Sequence, residues 1–458
     1  MLKFNLNRRI KDGHKITLLR DGEAFFPRLH ELIEQAQSEV LLETFILEED
    51  AVGKPLKESL LRAAKRGVKI LLTIDSWGSF YLPQSYKDEL VAAGVKLQIY
   101  DPQPSWAKGR PKLVHRLHRK LAVIDAKYAF VGGINLCKDH LVNDNPTGKR
   151  DYVAEVSGPV VRSIRQLCLA YATKEFRRYF GLVDNLIDHE ALAQQANDPH
   201  FNSKVAFVVR DNWRHRTDIE KAYLEKIKEA KKSIFIANAY IFPSYRLTRA
   251  LRKAAKRGVS VKIVTQGKPD LPYTLVAAHS TYKKFVMDGV EMYEFLGRPL
   301  HGKIAAIDDQ WSTIGSSNLD PWSLGSNLEA NLVIEDAAVN RQIRTYVEDL
   351  IKESKRINMQ WIKHRPVLGL IRDTLLYHLM RWWPAIIRCI PNERPVIQGV
   401  RHSQSDGELD RTEPSKTKDS IKRIKNTGSV IDREGKESAE RTESDNAFNH
   451  RMTAGAKQ

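Results

Sequence analysis

The chain has 458 residues, of which 42% are hydrophobic, so it is long and apolar enough for two ordinary domains or one large doubled domain. Lys and Arg outnumber Asp and Glu by 74 to 56, and the net charge of +18 predicts an anionic partner, either nucleic acid or acidic lipid head groups. Three widely spaced cysteines argue against a disulfide framework and fit a reducing compartment. No apolar region follows the charged N-terminal residues, so a cleaved secretory leader is not expected, and the lack of an apolar run of about 18 residues means that a transmembrane helix is not expected either.

An internal repeat organises most of the chain. Residues 25–47 indicate a helix followed by a strand, because apolar residues at helical spacing give way to a β-branched and aromatic run. Residues 60–73 repeat that pattern, with a glycine cap between helix and strand. The first unit recurs at residues 219–241 and the second at residues 251–265. The two copies of the second unit share Ala-Ala-Lys-Arg-Gly-Val. Alternating helices and strands predict an α/β fold in which each half has a sheet flanked by helices.

A polar motif follows these units in each half, and its two copies match at every internal offset. The first copy consists of His118, Lys120, Asp125, Gly132, Gly133 and Asn135, and the second of His301, Lys303, Asp308, Gly315, Ser316 and Asn318. A match of this kind inside a wider repeat predicts a functional site. Asp125, Asp308 and the glycines have a structural alternative, since such residues also end strands and form turns.

The residue types of the motif suit chemistry at phosphate. Alternate residues of a strand project from one face, so His118 and Lys120 point the same way, as do His301 and Lys303. A neutral imidazole is a nucleophile and an imidazolium is an acid near pH 7, while Lys and Asn side chains donate to phosphate oxygens. Displacement at a phosphodiester needs an attacking group on one side and a proton donor on the other. We therefore predict halves related by a pseudo-twofold axis, with the two histidines on opposite sides of one phosphate.

Neither a metal nor a cofactor is expected. His115 is three residues from His118, and on an extended strand that offset sends the two side chains to opposite faces. The two are therefore not expected to form a pair of metal ligands. The histidines and lysines of the two motifs already supply a nucleophile, a proton donor and positive charge.

The composition changes after the second motif. Residues 365–395 combine aliphatic residues with Arg372, Arg381, Trp382, Trp383 and Arg388. This pattern predicts an amphipathic helix in a membrane interface, and the alternative is a helix that closes the core. Beyond residue 401 the chain is rich in Ser, Thr, Glu, Lys and Arg and poor in large apolar residues, which predicts a disordered tail.

The paired motifs resemble the signature of the phospholipase D superfamily, His-x-Lys-x4-Asp followed by Gly-Gly or Gly-Ser and then Asn. The resemblance extends from Lys15 to about Glu335, and "LLETFILEEDAVGK", "RPLHGKIAAID" and "GSSNLDPWSL" are similar to bacterial cardiolipin synthases of the type without paired N-terminal transmembrane helices. It implies two tandem α-β-α sandwich halves with the active site at their interface. The expected boundaries are 1–14 for an N-terminal extension, 15–200 and 201–345 for the halves, 346–400 for a C-terminal helical segment and 401–458 for the tail.

The resemblance also implies roles for individual residues. His118 is expected to be the nucleophile and His301 the proton donor, although the symmetry of the repeat alone permits the reverse. An acidic partner for an imidazole is expected at Glu329 and at Asp151, and the alternative for Asp151 is a surface ion pair with Arg150.

The remaining candidate residues surround the same phosphate. The chemistry of the paired motifs leads us to expect Lys120, Lys303, Asn135 and Asn318 around its oxygens, and Asp125 and Asp308, as members of the signature, are counted as part of the catalytic centre. Glu43 and Asn238 are aligned with each other in the repeat and are weaker candidates for contacts with phosphate or glycerol. For both, plain polarity at the end of a strand is the alternative.

The activity implied by the resemblance is phosphatidyl transfer, which makes cardiolipin from phosphatidylglycerol through a phosphatidyl-histidine and releases glycerol. Hydrolysis of phospholipid or nucleic acid is the alternative, because the covalent intermediate would be the same, and two complete motifs argue against an inert membrane scaffold. The expected partners are an anionic phospholipid surface and phosphatidylglycerol, without nucleic acid or an obligate protein partner. The expected location is the cytoplasmic side of the bacterial inner membrane.

Overall fold

The computed structural model describes residues 5–102, 115–143, 145–181, 201–268, 272–363 and 396–401, together with residues 369, 375 and 382. Met1–Ser405 forms one compact unit that contains both copies of the repeat. Apart from the three single residues, the interfacial helix predicted in residues 365–395 lies outside the described residues, as does the tail beyond residue 401.

The first half alternates strands and helices. Its strands are β1 (Lys11–Arg20), β2 (Glu39–Thr44), β3 (Lys69–Asp75), β4 (Lys96–Tyr100), β5 (Leu121–Ile124), β6 (Tyr128–Gly132) and β7 (Tyr152–Ser157). Its helices are α1 (Asp21–Gln35), α2 (Gly53–Lys65), α3 (Gln84–Ala92), α4 (Val160–Ala170) and α5 (Lys174–Gly181). His118 and Lys120 of the first motif therefore lie at the end of the loop that leads into β5.

The second half repeats this plan. Its strands are β8 (Ser203–Arg210), β9 (Ser233–Asn238), β10 (Ser260–Gln266), β11 (Glu291–Phe295), β12 (Lys303–Ile307), β13 (Trp311–Gly315) and β14 (Glu329–Glu335). Its helices are α6 (Asp218–Glu229), α7 (Tyr245–Lys256), α8 (Pro272–Met287), α9 (Pro321–Gly325) and α10 (Ala337–Lys352). The described chain then continues with β15 (Ser354–Ile357), α11 (Met359–Lys363) and β16 (Ile397–Gly399).

All sixteen strands of the described ranges belong to one sheet, whose centre is the antiparallel pair of β1 and β8. Outward from that pair the order is β1-β7-β6-β5-β2-β3-β4-β16 on one side and β8-β14-β13-β12-β9-β10-β11-β15 on the other. Each strand of the first half thus has a counterpart at the same distance from the centre. This order confirms the predicted pair of α/β halves related by a pseudo-twofold axis.

Helices cover both faces of the sheet. α4 and α10 lie on one face, which we call the inner face, and their residues Ile164 and Ile343 belong to one apolar core that runs through both halves. α1 and α2 cover the outer face of the first half, and α6, α7 and α8 cover that of the second half. Each fully buried aliphatic side chain contributes about 1.5–3 kcal/mol of burial free energy. The continuous inner core therefore fixes the two motif strands relative to each other.

The repeated glycines end two equivalent helices. Gly67 follows α2 with φ +87° and Gly258 follows α7 with φ +91°, a left-handed conformation in which a side chain would be strained. The amide of each glycine donates to a carbonyl of the preceding helical turn, at 2.9 Å in both halves. The glycine caps predicted from the shared hexapeptide are confirmed.

The described part of the segment after the second half contains both helix and strand. β15 pairs antiparallel with β11, and β16 pairs antiparallel with β4, so the described part of residues 346–400 supplies the two edge strands of the sheet. Pairing at the edges satisfies backbone groups that β4 and β11 would otherwise leave open. Within the described ranges, no helix combines the length and apolar character needed to cross a membrane.

Candidate active site

The two motif segments meet through backbone contacts between the halves. The amide of His118 donates to the carbonyl of Leu328 at 3.0 Å, and the amide of His301 donates to the carbonyl of Arg150 at 2.8 Å. β-Bridges between Leu117 and Leu328 and between Arg150 and Leu300 flank these bonds. Each histidine is therefore positioned by the half that does not contain it.

A buried carboxylate from the opposite half also holds each imidazole. Glu329 lies with Oε1 3.0 Å and Oε2 3.1 Å from Nδ1 of His118. Asp151 lies with Oδ2 2.6 Å from Nδ1 of His301. A carboxylate at Nδ1 favours the tautomer that carries its proton there, which leaves Nε2 with a lone pair for attack or proton transfer. The guanidinium of Arg150 lies 3.3 Å from Asp21 instead, so Asp151 is a buried partner of His301 and not a surface ion pair.

The glycine pair and the Gly-Ser pair explain why the two carboxylates differ. Ser316 Oγ donates to Glu329 Oε2 at 2.5 Å and so supports that longer side chain. Gly133 occupies the equivalent place, and a Cβ there would lie 2.4 Å from Oδ1 of Asp151. A side chain at position 133 would therefore displace the carboxylate that holds His301.

Each motif lysine lies against the backbone of its own histidine. Lys120 Nζ donates to the His118 carbonyl at 2.7 Å, and Lys303 Nζ makes the same contact with the His301 carbonyl. Burial lowers the pKa of Lys120 to about 7. A phosphate bound beside the ammonium group would raise that pKa again and favour the charged form.

The motif asparagines are also buried. Asn135 Oδ1 accepts from the amide of Ile46 at 3.2 Å, whereas Asn318 Oδ1 has no hydrogen-bond partner among the described residues. The Asn135 side chain thus helps to hold the loop after β2 in place.

Burial also acts on the two catalytic candidates themselves. It lowers the pKa of His118, an effect that the charge of Glu329 opposes. It lowers the pKa of His301 well below the ordinary value, and the positive charge of Lys303 acts in the same direction. Both rings are therefore neutral near pH 7 before an anion binds, which suits a nucleophile. An anionic phosphate between them would raise both pKa values and allow one ring to hold the proton that a leaving group needs.

Asp125 and Asp308 make equivalent contacts away from the imidazoles. Oδ1 of Asp125 accepts from the amides of Ser38 and Glu39 at 2.8 and 3.0 Å, and Oδ1 of Asp308 accepts from those of Lys232 and Ser233 at 2.8 and 3.0 Å. Both aspartates have positive φ and follow β5 and β12, at the ends far from the histidines. These contacts favour the structural alternative, in which the aspartates brace the turn that leads into β2 or β9.

Replacing Asp308 with Ala should destabilise the fold more than it slows the chemistry. The variant loses charge-assisted bonds from the exposed amides of Lys231 and Lys232 and from the half-buried amide of Ser233, and we expect the free energy of unfolding to fall by about 2–3 kcal/mol. Urea denaturation measures that loss, and kcat of the remaining folded enzyme should stay within about threefold of the parent. Asp125→Ala is the matched variant in the other half. A stable variant that has lost catalysis would instead place Asp308 in the reaction.

The proposed equivalence of Glu43 and Asn238 is wrong by one residue. Asn238 pairs with Lys303 across β9 and β12, whereas Glu43 pairs with Leu121 across β2 and β5, so the counterpart of Asn238 is Thr44. A shift of one residue moves a side chain to the other face of a sheet. Glu43 accordingly faces the inner side.

Its contacts there are structural. Oε2 of Glu43 accepts from Nε of Arg119 at 3.0 Å, and the guanidinium of Arg119 lies over the ring of Tyr171 at 4.2 Å. Asn238 stays on the motif side, where Oδ1 accepts from the amide of Leu319 at 3.2 Å. The two residues therefore stand on opposite faces, and the alignment offers no common role for them.

Two further aromatic rings lie beside the site: Phe45, which the sequence favours as a core aromatic, and His140, which the sequence analysis missed. The ring of Phe45 lies 5.2 Å from that of His118, measured between centroids. The buried ring of His140 lies 5.3 Å from that of His301, and its Nδ1 is 3.5 Å from Oδ2 of Asp151. His140 belongs to the short 3-10 helix Lys138–His140, and the repeat has a serine at the equivalent position, so the comparison of the two copies did not mark it.

Three residues around His301 could together hold a metal ion. His140, Asp151 and His301 each offer one ligand atom, and the three atoms lie within 4.8 Å of one another. Zinc accepts such nitrogen and oxygen ligands. A metal held there would occupy a nitrogen of His301, which makes the dependence of activity on metal a direct experimental question.

Comparisons with known proteins agree with this geometry. The family model for "Cardiolipin synthase, PLD-like domain" matches residues 29–164 and 223–351. Cardiolipin synthase B of Salmonella typhimurium is 42% identical over 416 residues, which cover 89% of this chain and 98% of that protein. Cardiolipin synthase B of Escherichia coli K12 is 40% identical over 397 residues, covering 85% and 93%.

A solved structure shares the fold. Phosphatidylserine synthase of Haemophilus influenzae superposes with a TM-score of 0.58 at 14% identity, covering 82% of this chain and 94% of that one. Together with the two motifs and their crossed carboxylates, these matches confirm the resemblance to the phospholipase D superfamily. The chain belongs to the family of cardiolipin synthases with phospholipase D-like domains.

Proposed function

We propose that this chain is a cardiolipin synthase that transfers the phosphatidyl group of one phosphatidylglycerol to the free glycerol hydroxyl of another. The observation that carries the proposal is the crossed pair of contacts, in which Glu329 holds His118 and Asp151 holds His301. Two imidazoles with fixed tautomers, each beside a lysine, provide the nucleophile and the proton-transfer group of a double displacement.

In the first step Nε2 of His118 attacks the phosphorus of the donor lipid. The bond between phosphorus and the glycerol oxygen breaks, and His301 gives its proton to that oxygen, so free glycerol leaves. The product is a phosphatidyl-histidine. Lys120, Lys303 and the motif asparagines are the groups we assign to the phosphate oxygens, where positive charge and N–H donors stabilise the transition state.

In the second step a lipid hydroxyl, rather than water, attacks the phosphatidyl-histidine. His301 takes the proton from the terminal hydroxyl of a second phosphatidylglycerol, and the resulting oxygen nucleophile attacks phosphorus. The bond between phosphorus and Nε2 breaks, which releases cardiolipin and restores His118. No step needs a cofactor, because the lysines and histidines carry the charge and the proton.

We also propose that the protein works from the cytoplasmic face of the bacterial inner membrane as a peripheral protein. The support is physical: the net charge of +18 favours an anionic lipid surface, and both substrates are lipids. We infer no nucleic-acid partner and no obligate protein partner.

Purified protein in detergent with labelled phosphatidylglycerol and EDTA tests the activity. Cardiolipin and an equal amount of glycerol are expected, at the rate seen without EDTA. Phosphatidic acid as the main product would identify a hydrolase, and absence of lipid products would direct the test to nucleic acid. Loss of activity in EDTA that Zn²⁺ restores would contradict the metal-independent mechanism.

A further inference from the structure

A basic cavity opens beside the second motif. Its volume is about 450 Å³, and its lining includes Arg210, Arg216 and Arg246 together with Thr217, Ser244 and Asp320. Asp320 comes two residues after the motif Asn318, so the cavity lies close to the second motif along the chain. The steps of the proposed mechanism do not use it.

Arg210 connects the cavity to the reacting histidine. It pairs with Glu329 across β8 and β14, so both side chains project to the same face of the sheet. Glu329 in turn holds His118. Arg210 is 2% exposed, its two terminal nitrogens donate to the carbonyls of Asn327 and Gly325, and its Nε has no hydrogen-bond partner among the described residues.

The other groups of the lining favour an anion. The cavity meets the N-termini of α6 and α7 at Thr217 and Ser244, where helix dipoles and amides attract negative charge. Arg216 and Arg246 are exposed, and no ion pair involves either of them within the described ranges. Three arginines therefore face two lining carboxylates.

Both carboxylates are already engaged. Oε1 of Glu220 accepts from Ser244 Oγ at 2.5 Å, and Oδ1 of Asp320 accepts from the amides of Trp322 and Ser323 at 2.7 and 3.0 Å. Burial raises the pKa of Asp320 to about 6, so this carboxylate is still mostly ionised at pH 7, but its charge is taken up by the two amides, whereas the guanidinium groups of Arg216 and Arg246 are exposed. The arginines consequently dominate the electrostatic character of the cavity.

The first half has an acidic residue at the position equivalent to Arg210. The strand register puts Asp21 beside Asp151, where the second half has Arg210 beside Glu329. The amide of Asp151 donates to Oδ1 of Asp21 at 3.0 Å, so an acid and not a guanidinium occupies that position. The pseudo-twofold symmetry is therefore broken at this position, and the second half carries the residue that favours an anion.

We infer that this cavity binds the phosphate of the acceptor phospholipid, an inference that rests on the proposed transfer function. The acceptor carries a phosphodiester anion joined by one glycerol unit to the hydroxyl that attacks phosphorus. Arg210 lies on the strand next to that of Glu329, the carboxylate that positions His118. An anion bound there would orient the attacking hydroxyl of the acceptor lipid and so favour that hydroxyl over water as the attacking group. Donor and acceptor then bind differently although they are the same molecule.

The double variant Arg216→Gln/Arg246→Gln tests this assignment. Phosphatidylglycerol labelled in its acyl chains is supplied in mixed micelles with glycerol that carries a second label, and three products are measured: cardiolipin, phosphatidic acid and phosphatidylglycerol that has taken up the second label. Charge-assisted bonds to phosphate should be lost, so cardiolipin formation should fall at least about tenfold. Single-turnover formation of the phospho-enzyme and exchange with glycerol, which has no phosphate, should be preserved.

Arg249→Gln is the matched control, because Arg249 is exposed on α7, the helix that carries Arg246, but does not line the cavity. It should leave the product ratio unchanged. An equal loss of cardiolipin formation and glycerol exchange in the double variant, or no change in their ratio, would overturn the inference. Failure of the unmodified protein to make cardiolipin at all would instead overturn the proposed function.

Discussion

His118→Asn is expected to abolish the phospho-enzyme and to lower cardiolipin formation by at least about 10⁴-fold. The amide of Asn cannot act as the nucleophile, and loss of a catalytic nucleophile removes the whole covalent route. Glu329 would still have a donor at position 118, so the local structure should survive. Denatured samples from a reaction with phosphate-labelled phosphatidylglycerol should contain base-stable, acid-labile label in the parent protein and none in the variant.

His301→Asn is the control that separates the two imidazoles. It keeps the nucleophile and removes the proton donor, so phospho-enzyme formation should slow by about 10²–10⁴-fold without disappearing. Peptide mapping of the labelled protein should place the phosphate on His118 in both the parent and His301→Asn. Label on His301 in the parent would reverse the assignment, an outcome that the symmetry of the repeat allows.

The sequence predicted the doubled architecture because a repeat carries its own internal check. Matching offsets at His118 and His301 indicated one composite site, and the symmetric strand order around β1 and β8 bears out the two halves. The carboxylate positions Asp151 and Glu329 came from the family resemblance. Their exchange between halves is a tertiary contact, which no local pattern encodes.

The misjudged residues fail for identifiable physical reasons. Glu43 was aligned by overall similarity, but strand faces alternate at each residue, so a shift of one position placed it on the inner side with Arg119. His140 has a serine at the equivalent position of the other half and therefore left no trace in the repeat.

The basic cavity escaped the sequence analysis for a related reason. Arg210 lies at the end of an apolar strand, and its pairing with Glu329 depends on the register of β8 and β14. The repeat comparison searched for identity between the halves. A function that depends on a difference between them, an arginine where the other half has an aspartate, is invisible to such a search.

Glu329→Gln is the second substitution expected to have a large effect, a loss of about 10³–10⁴-fold in kcat. An amide offers His118 both a donor and an acceptor, so the imidazole is no longer held in one tautomer, and an imidazolium there loses its counter-charge. Removal of the carboxylate from a catalytic His–Asp pair has a cost of about this size in serine proteases. Because Glu329 belongs to the second half and His118 to the first, the loss would also show that the halves act together.

Rapid-quench measurements of phospho-enzyme formation distinguish the roles of the two carboxylates. Glu329→Gln should slow formation directly because it acts on the nucleophile. Asp151→Asn acts on the proton carrier His301, so it should also slow the second step and raise the steady-state level of the intermediate relative to Glu329→Gln. Ser316→Ala, which removes the 2.5 Å bond to Glu329 but keeps the charge, should cost much less than either. If Glu329→Gln formed phospho-enzyme at the parent rate, the contact between halves would have to be structural, and the tautomer of His118 would need another source.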